Sequence, residues 1–200
     1  MPERRALVNI YLSLDTQCME SKRSAKAEEI LDAAEQHMRR GGFDAVSYRV
    51  LATDVGIKSA SVHYHFPQKA DLGRAVVERY GGRFLDSLGR PDDPAESREQ
   101  RLMRLAAGYR ASLSQHGTVC LCCVLGAERH YLPETVAEAT ASFYRRLLEW
   151  TETALATDGG DASALAAHVI AALQGAMVLA VALDRDELIA SSAEQLAKLL

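Results

Sequence analysis

Three thiols fall within four positions, Cys120, Cys122 and Cys123, with His116 and His130 on either side and Arg129 close by. Thiolates attack electrophiles and oxidants, and a neighbouring cation or imidazolium makes the thiolate easier to form. Thiolate with imidazole is also a good zinc donor set. Against zinc, Cys122 and Cys123 are adjacent, so they point different ways on a helix, and no second Cys pair completes a zinc spacing; no metal or other cofactor is expected. A third reading is that these are small apolar side chains filling a core. A second group of residues suits anion chemistry. Between Ser47 and Lys69 the charges are Arg49, Lys58 and Lys69 against Asp54 alone, with His63 and His65 as further donors. Such residues can hold phosphates, and an Arg fork can read guanine.

The chain carries no GxSxG, HExxH or glycine-rich phosphate loop, so an enzyme is not expected. A helical adaptor binding only protein would leave Arg49, Tyr64 and Lys69 without a shared purpose. Of the 200 residues 48% are hydrophobic and 25% charged, ordinary globular usage. A net charge of −4 argues against indiscriminate coating of nucleic acid. The acidity is uneven: residues 1–75 hold 11 Lys and Arg against 10 Asp and Glu, and residues 76–200 hold 12 against 17. Cys18 and the three clustered thiols are too few and too unevenly spaced for a secreted disulfide framework, which points to the cytoplasm. Arg4, Arg5 and the run Ala6–Leu14 resemble a signal peptide faintly, but Asn9 and Ser13 interrupt it and no cleavage site follows. Met19 is an alternative start to Met1.

These residues need helices to position them. Apolar residues recur at helical spacing and no stretch alternates at period two, so an all-α fold is expected. The first helix is predicted over Lys22–Arg40, with Ala27, Ile30, Leu31, Ala34 and Met38 inward and Gly41-Gly42 ending it. Ser47 can cap a short helix that buries Val50, Leu51 and Val55 and ends at Gly56. A second short helix from Lys58 or Ser59 buries Val62 and Phe66, turns Ala60, His63 and Tyr64 another way, and closes at Pro67. Longer helices are expected at Lys69–Leu88, Ser97–Gln115, Val119–His130, Pro133–Ala156, Asp161–Leu183 and Asp186–Leu200, with a turn at Gly89–Pro94 and a loop at Gly159-Gly160 capped by Asp161 or Ser163. Two short helices around a glycine turn fit a helix-turn-helix, and fit a plain helical corner equally well.

The residues Gly41-Gly42-Phe43-Asp44-Ala45-Val46-Ser47, then Leu51-Ala52-Thr53-Asp54-Val55-Gly56-Ile57, then Ser61-Val62-His63-Tyr64-His65-Phe66-Pro67-Gln68-Lys69-Ala70-Asp71-Leu72 resemble the signature of the TetR family. The likeness spans about residues 22–75; beyond it only helical pattern and length agree, and the first 20 residues match nothing. It implies an N-terminal helix-turn-helix DNA-binding domain over 21–67, after a disordered extension over 1–20, and a helical effector-binding and dimerisation domain over 68–200. It implies that Ser59, Ala60, Ser61 and His63 approach base edges, that Arg49 reaches in from the preceding helix, and that Ser47, Tyr48, Tyr64 and Lys69 touch phosphates of double-stranded operator DNA. His63 and Ala60 stand where the family more often has Tyr and Gly, which puts the operator sequence in doubt. His65 is expected to be structural, and Lys69 has an alternative role in ion-pairing at the start of the long helix. The resemblance further implies a homodimer built on the small-residue stretch Ala162–Ala182 with Leu188–Leu200, binding a palindromic operator. It also implies an unknown small-molecule effector, with Tyr109, His116, Cys120, Cys122, Cys123, Tyr131, Phe143, Trp150, Gln174 and Met177 as candidate contacts. The whole reading is of a ligand-responsive repressor with no membrane partner.

Overall fold

The computed structural model describes residues 25–157 and 162–200, within which there are nine α-helices and no strand. Cys18, the alternative start at Met19, the N-terminal extension, the Gly159-Gly160 loop and the Asp161 cap lie outside the described residues. Helix α1 covers residues 25–41. A 3-10 turn at Phe43–Ala45 leads to α2 (Tyr48–Val55), α3 (Ser59–His65) and the long α4 (Lys69–Ser87). Then come α5 (Arg98–His116), α6 (Leu121–Ala127), a 3-10 turn at Arg129–Tyr131, α7 (Glu134–Leu155), α8 (Ser163–Leu183) and α9 (Glu187–Ala197).

The inward stripe of α1 forms as its spacing requires, with Ile30, Leu31, Ala34 and Met38 buried. Helix α5 begins with a capping box: the Ser97 hydroxyl accepts from the Gln100 N–H, and the Gln100 side chain accepts from the Ser97 N–H. Helix α6 is much shorter than the expected Val119–His130. Cys120 is extended before it, and past Ala127 the chain leaves α-geometry at Glu128 (φ −91, ψ 6), whose carboxylate is committed elsewhere. In the larger half, α4 packs on α7 and α6, and α5, α7 and α9 surround α8. Tyr80 and Phe84 of α4, Tyr109 of α5 and Phe143 of α7 form one aromatic cluster, with ring centroids 5.3 to 6.0 Å apart. The Trp150 indole donates to the Gly89 carbonyl at 2.8 Å, pinning the turn after α4.

Helix α8 is apolar on every side. It alone among the described helices is long and apolar enough to cross a membrane, with a mean hydropathy of 2.0. Its inner face, including Val169, Leu173 and Met177, is fully buried. Its outer face leaves Val178, Leu179, Val181 and Leu183 between 41% and 57% exposed. A helix apolar all round needs cover on both faces.

Candidate DNA interface and effector cavity

Ser47 is extended at the head of α2 and its carbonyl accepts from the Leu51 N–H at 2.9 Å. Its side chain makes no capping bond, contrary to expectation. Helix α2 buries Leu51 and Ala52, with Val55 packed at their edge. Val50, expected inward, is 41% exposed, because it lies two residues and some 200° around the helix from Ala52. Gly56 then takes φ 69, ψ 37, a left-handed conformation that side chains disfavour, and the chain turns into α3. Val62 is fully buried beneath α3 and Phe66 is packed at its end.

On the other side, Arg49 of α2 and Ser59, Ala60, His63 and Tyr64 of α3 are exposed, and Ser61 is half-buried. The Asp54 carboxylate beside them is held 2.7 Å from the His37 ring of α1, which removes an acidic group from free display. Tyr48 and Lys69, to which the resemblance gives phosphate contacts, have internal partners in this DNA-free structure. The half-buried Tyr48 donates its hydroxyl to the Phe66 carbonyl at 2.7 Å and sets its ring edge-on to His63, with centroids 4.5 Å apart. Burial first, and then the Asp71 charge, push its hydroxyl up to about 12. The Lys69 ammonium sits 3.5 Å from the Asp44 carboxylate and 4.5 Å from the centre of the Phe43 ring, the internal ion-pairing alternative. His65 is half-buried against Tyr64.

A buried polar seam ties this head to the body. Glu35 and Arg39 sit at i and i+4 on α1 and are 3% and 4% exposed. Arg39 donates through Nε to Glu35 (3.1 Å), and through Nη1 to the Ser112 hydroxyl and the Val119 carbonyl (both 3.2 Å). Its guanidinium also lies over the Tyr80 ring, 4.9 Å from its centre. Arg83 of α4 bonds the other Glu35 oxygen at 2.5 Å. Arg79 holds Glu28 and Asp32 of α1, each at 2.7 Å. Sequence reasoning missed this seam, although Glu35 follows Leu31 by one turn and so borders the inward stripe. His116 lies near it, its pKa lowered by burial and then by Arg39.

The thiols meet three different environments. Cys120 is fully buried, 2.9 Å from the Tyr80 hydroxyl, and its N–H points at the Met177 sulfur at 3.0 Å. Burial alone would raise its pKa. Hydrogen bonds from the Cys122 thiol, the Tyr80 hydroxyl and the Cys123 and Cys122 N–H groups outweigh that and bring it down to about 7. Burial raises Cys122 and, less completely buried, Cys123. Among the described residues no three His, Cys, Asp or Glu side chains gather as a metal site.

Cys123 opens onto a cavity of about 430 Å³ between α6, α7 and α8. Gly126, Ala127, Ala137, Thr140, Ala141, Tyr144 and Gln174 line it, with Arg129 among the walls. The Tyr144 hydroxyl donates to Gln174 Oε1 at 3.2 Å, and the Gln174 amide nitrogen donates to the Tyr109 hydroxyl at 3.3 Å. Of the effector residues expected from sequence, only Cys123 and Gln174 line this cavity. Tyr109 and Phe143 are in the aromatic core, Trp150 holds Gly89, Met177 backs Cys120, and Tyr131 is turned to solvent at 86% exposure. Tyr144 and Thr140 escaped notice because they sit in an α7 stripe that reads as ordinary core.

Two short helices around a left-handed glycine, fastened by apolar residues on one side and offering Arg and short polar side chains on the other, define a helix-turn-helix DNA-binding protein. Residues 30–76 match the family described as bacterial regulatory proteins, tetR family. Over 173 residues the chain is 28% identical to an uncharacterized helix-turn-helix transcriptional regulator from the dhlA 5' region of Xanthobacter autotrophicus, covering 82% of this chain and 84% of the relative. Its fold is similar to that of a TetR-family regulator from Agrobacterium tumefaciens (TM-score 0.81, 26% identity, 89% of this chain and 98% of that one). A TetR regulator from Legionella pneumophila matches with a TM-score of 0.81 and 25% identity over 86% of this chain and 96% of that one. The chain thus carries a tetR-type DNA-binding domain over residues 30–76 and along most of its length is similar to TetR-family transcriptional regulators.

Proposed function

We propose that this regulator is a cytoplasmic repressor that binds a palindromic operator as a homodimer and releases it when an effector occupies its larger half. The observation that carries the reading is the outward face formed by Arg49, Ser59, Ala60, His63 and Tyr64 on helices fastened from beneath. In this assignment residues 21–67 read DNA and residues 68–200 sense and dimerise. Arg49 and the Ala60/His63 face read base edges; Ser47 and Tyr64 hold phosphates; Lys69 first has to exchange Asp44 for a phosphate. The exposed Val178, Leu179, Val181 and Leu183 of α8 support a second copy as the missing cover, since small residues along the same helix let helices approach closely.

DNA binding of this kind weakens as salt rises, because it releases phosphate counterions. Tyr64→Ala is expected to weaken binding to every sequence alike; affinity unchanged by both salt and this substitution would contradict the assignment. A thiol-reactive inducer is a second reading of the signal, supported by the half-buried Cys123 thiol, which opens onto the cavity. Undiminished release by an electrophile in a variant lacking Cys120, Cys122 and Cys123 would dispose of it.

A further inference from the structure

We propose that Cys120 and Cys122, with the thioether of Met177, form a buried site for one soft monovalent metal ion, Cu(I) or Ag(I). The clustered thiols divide into a pair and a single: Cys123 faces the cavity, whereas Cys120 and Cys122 are both fully buried. Side chains two positions apart on one helix diverge by about 200°. Cys120 escapes that rule because it is extended just ahead of α6 (φ −51, ψ 135), and the Cys122 thiol hydrogen-bonds to its sulfur. The Cys120 carbonyl accepts from the Cys123 and Val124 N–H groups at 2.9 and 3.2 Å, which fixes the backbone that carries the pair. Met177 of α8, also fully buried, sets its sulfur 3.0 Å from the Cys120 nitrogen. Sulfur atoms from two separate segments thus gather around Cys120 in a dry part of the core.

That donor set selects among ions. Zinc wants four donors and harder cations want oxygen, and among the described residues no three His, Cys, Asp or Glu side chains gather to supply them. Cu(I) and Ag(I) are soft ions that prefer thiolate and thioether sulfur and are held by as few as two donors. Binding replaces two thiol protons with one singly charged metal ion, and the thioether adds only a lone pair. No atom changes oxidation state, both protons leave to solvent, and the bis-thiolate centre keeps one net negative charge. A buried charge of this kind needs compensation. The Tyr80 hydroxyl, 2.9 Å from the Cys120 sulfur, is placed to donate to the thiolate. The buried Arg39 guanidinium lies over the same Tyr80 ring, 4.9 Å from its centre. Its carboxylate partner, Glu35, is shared with Arg79 and Arg83, so the Arg39 charge is only partly offset.

The test uses the full chain, reduced and without oxygen or DNA, carrying Cys18→Ser and Cys123→Ser so that Cys120 and Cys122 are its only thiols. The probes are Cu(I) offered as its bicinchoninate complex, Ag(I) as a redox-inert analogue, and Zn(II). The chain is expected to withdraw one Cu(I) from bicinchoninate, with an ultraviolet thiolate-to-copper band growing in step. X-ray absorption is expected to show sulfur alone around the metal. Cu(I) and Ag(I) should raise the midpoint of thermal unfolding and Zn(II) should not, since only an ion held by the folded chain stabilises it. Cys122→Ala is expected to weaken Cu(I) binding at least about a hundredfold, and Met177→Leu, which keeps both thiols, about tenfold. Should Cys122→Ala fail to fold, the atoms around the metal in the parent chain decide the matter. No withdrawal of Cu(I), nitrogen or oxygen bound to the metal, affinity unchanged by Cys122→Ala or Met177→Leu, or equal stabilisation by Zn(II) would each overturn the proposal.

Discussion

Two arginines in neighbouring helices, Arg49 and Arg39, mark how the DNA-reading head and the seam beneath it use charge in opposite ways. Arg49 stands exposed on α2, where a side chain is worth little to the fold and is available to a partner. Arg39 is 4% exposed and committed to Glu35, Ser112, Val119 and Tyr80, contacts that span α1, α4, α5 and the segment leading to α6. One region leaves its polar groups exposed; the other pairs them in the interior, where they join the head to the body. Binding surface and coupling seam should therefore fail differently when cut.

The largest difference should come from Arg39→Met. Removing one partner of a buried ion pair leaves the other charge poorly compensated, and Arg83 and Arg79 relieve only part of it, so urea unfolding should show a loss of about 3 kcal/mol. Arg49→Ala should leave stability unchanged and instead reduce discrimination among bases by about 2 kcal/mol, read as competition between operator variants. If Arg49→Ala costs as much stability as Arg39→Met, the contrast is broken. Gly42→Ala, which meets the Glu128 carboxylate and keeps a positive φ, should lower stability by about 1.5 kcal/mol. Part of that loss should be absent when Glu128→Ala is combined with it, a double-mutant cycle that isolates the clasp. Tyr48→Phe, which removes the bond to the Phe66 carbonyl, should cost about 1 kcal/mol. The same tyrosine has a pH signature. Its folded pKa is raised from 10.0 to about 12, so its contribution is complete below 10 and is lost as pH rises towards 12. Unfolding free energy measured from pH 9 to 12 should fall less steeply in Tyr48→Phe than in the unaltered chain.

The same contrast explains what could be read from sequence. The two short helices, the Gly56 turn and the outward set Arg49, Ala60, His63 and Tyr64 were legible because their cause is local: spacing on one helix, one left-handed glycine, one apolar side. The ends of α4 and α8 were legible for similar reasons, within a residue or two. Tyr48 and Lys69 were not, since their partners, Phe66 and Asp44, are reached only after the chain has turned. The cavity between α6, α7 and α8 was least legible. Phe143 and Trp150 were named as candidate contacts from their residue type on an expected helix, and helical spacing does not say where three helices leave a void. Tyr144 and Thr140 border that void, whereas His116 and Met177 fill other places. The shortening of α6 has a tertiary cause as well, the reach of Glu128 to Phe43.

Selection of bound DNA from a random pool tests the central claim most directly. The expected result is an enriched palindrome whose half-sites lie about 34–36 Å apart or a further whole turn along the helix, as two copies of α3 related by a two-fold axis require. Recovery of no motif, or of a single unpaired half-site bound by one chain, would contradict it.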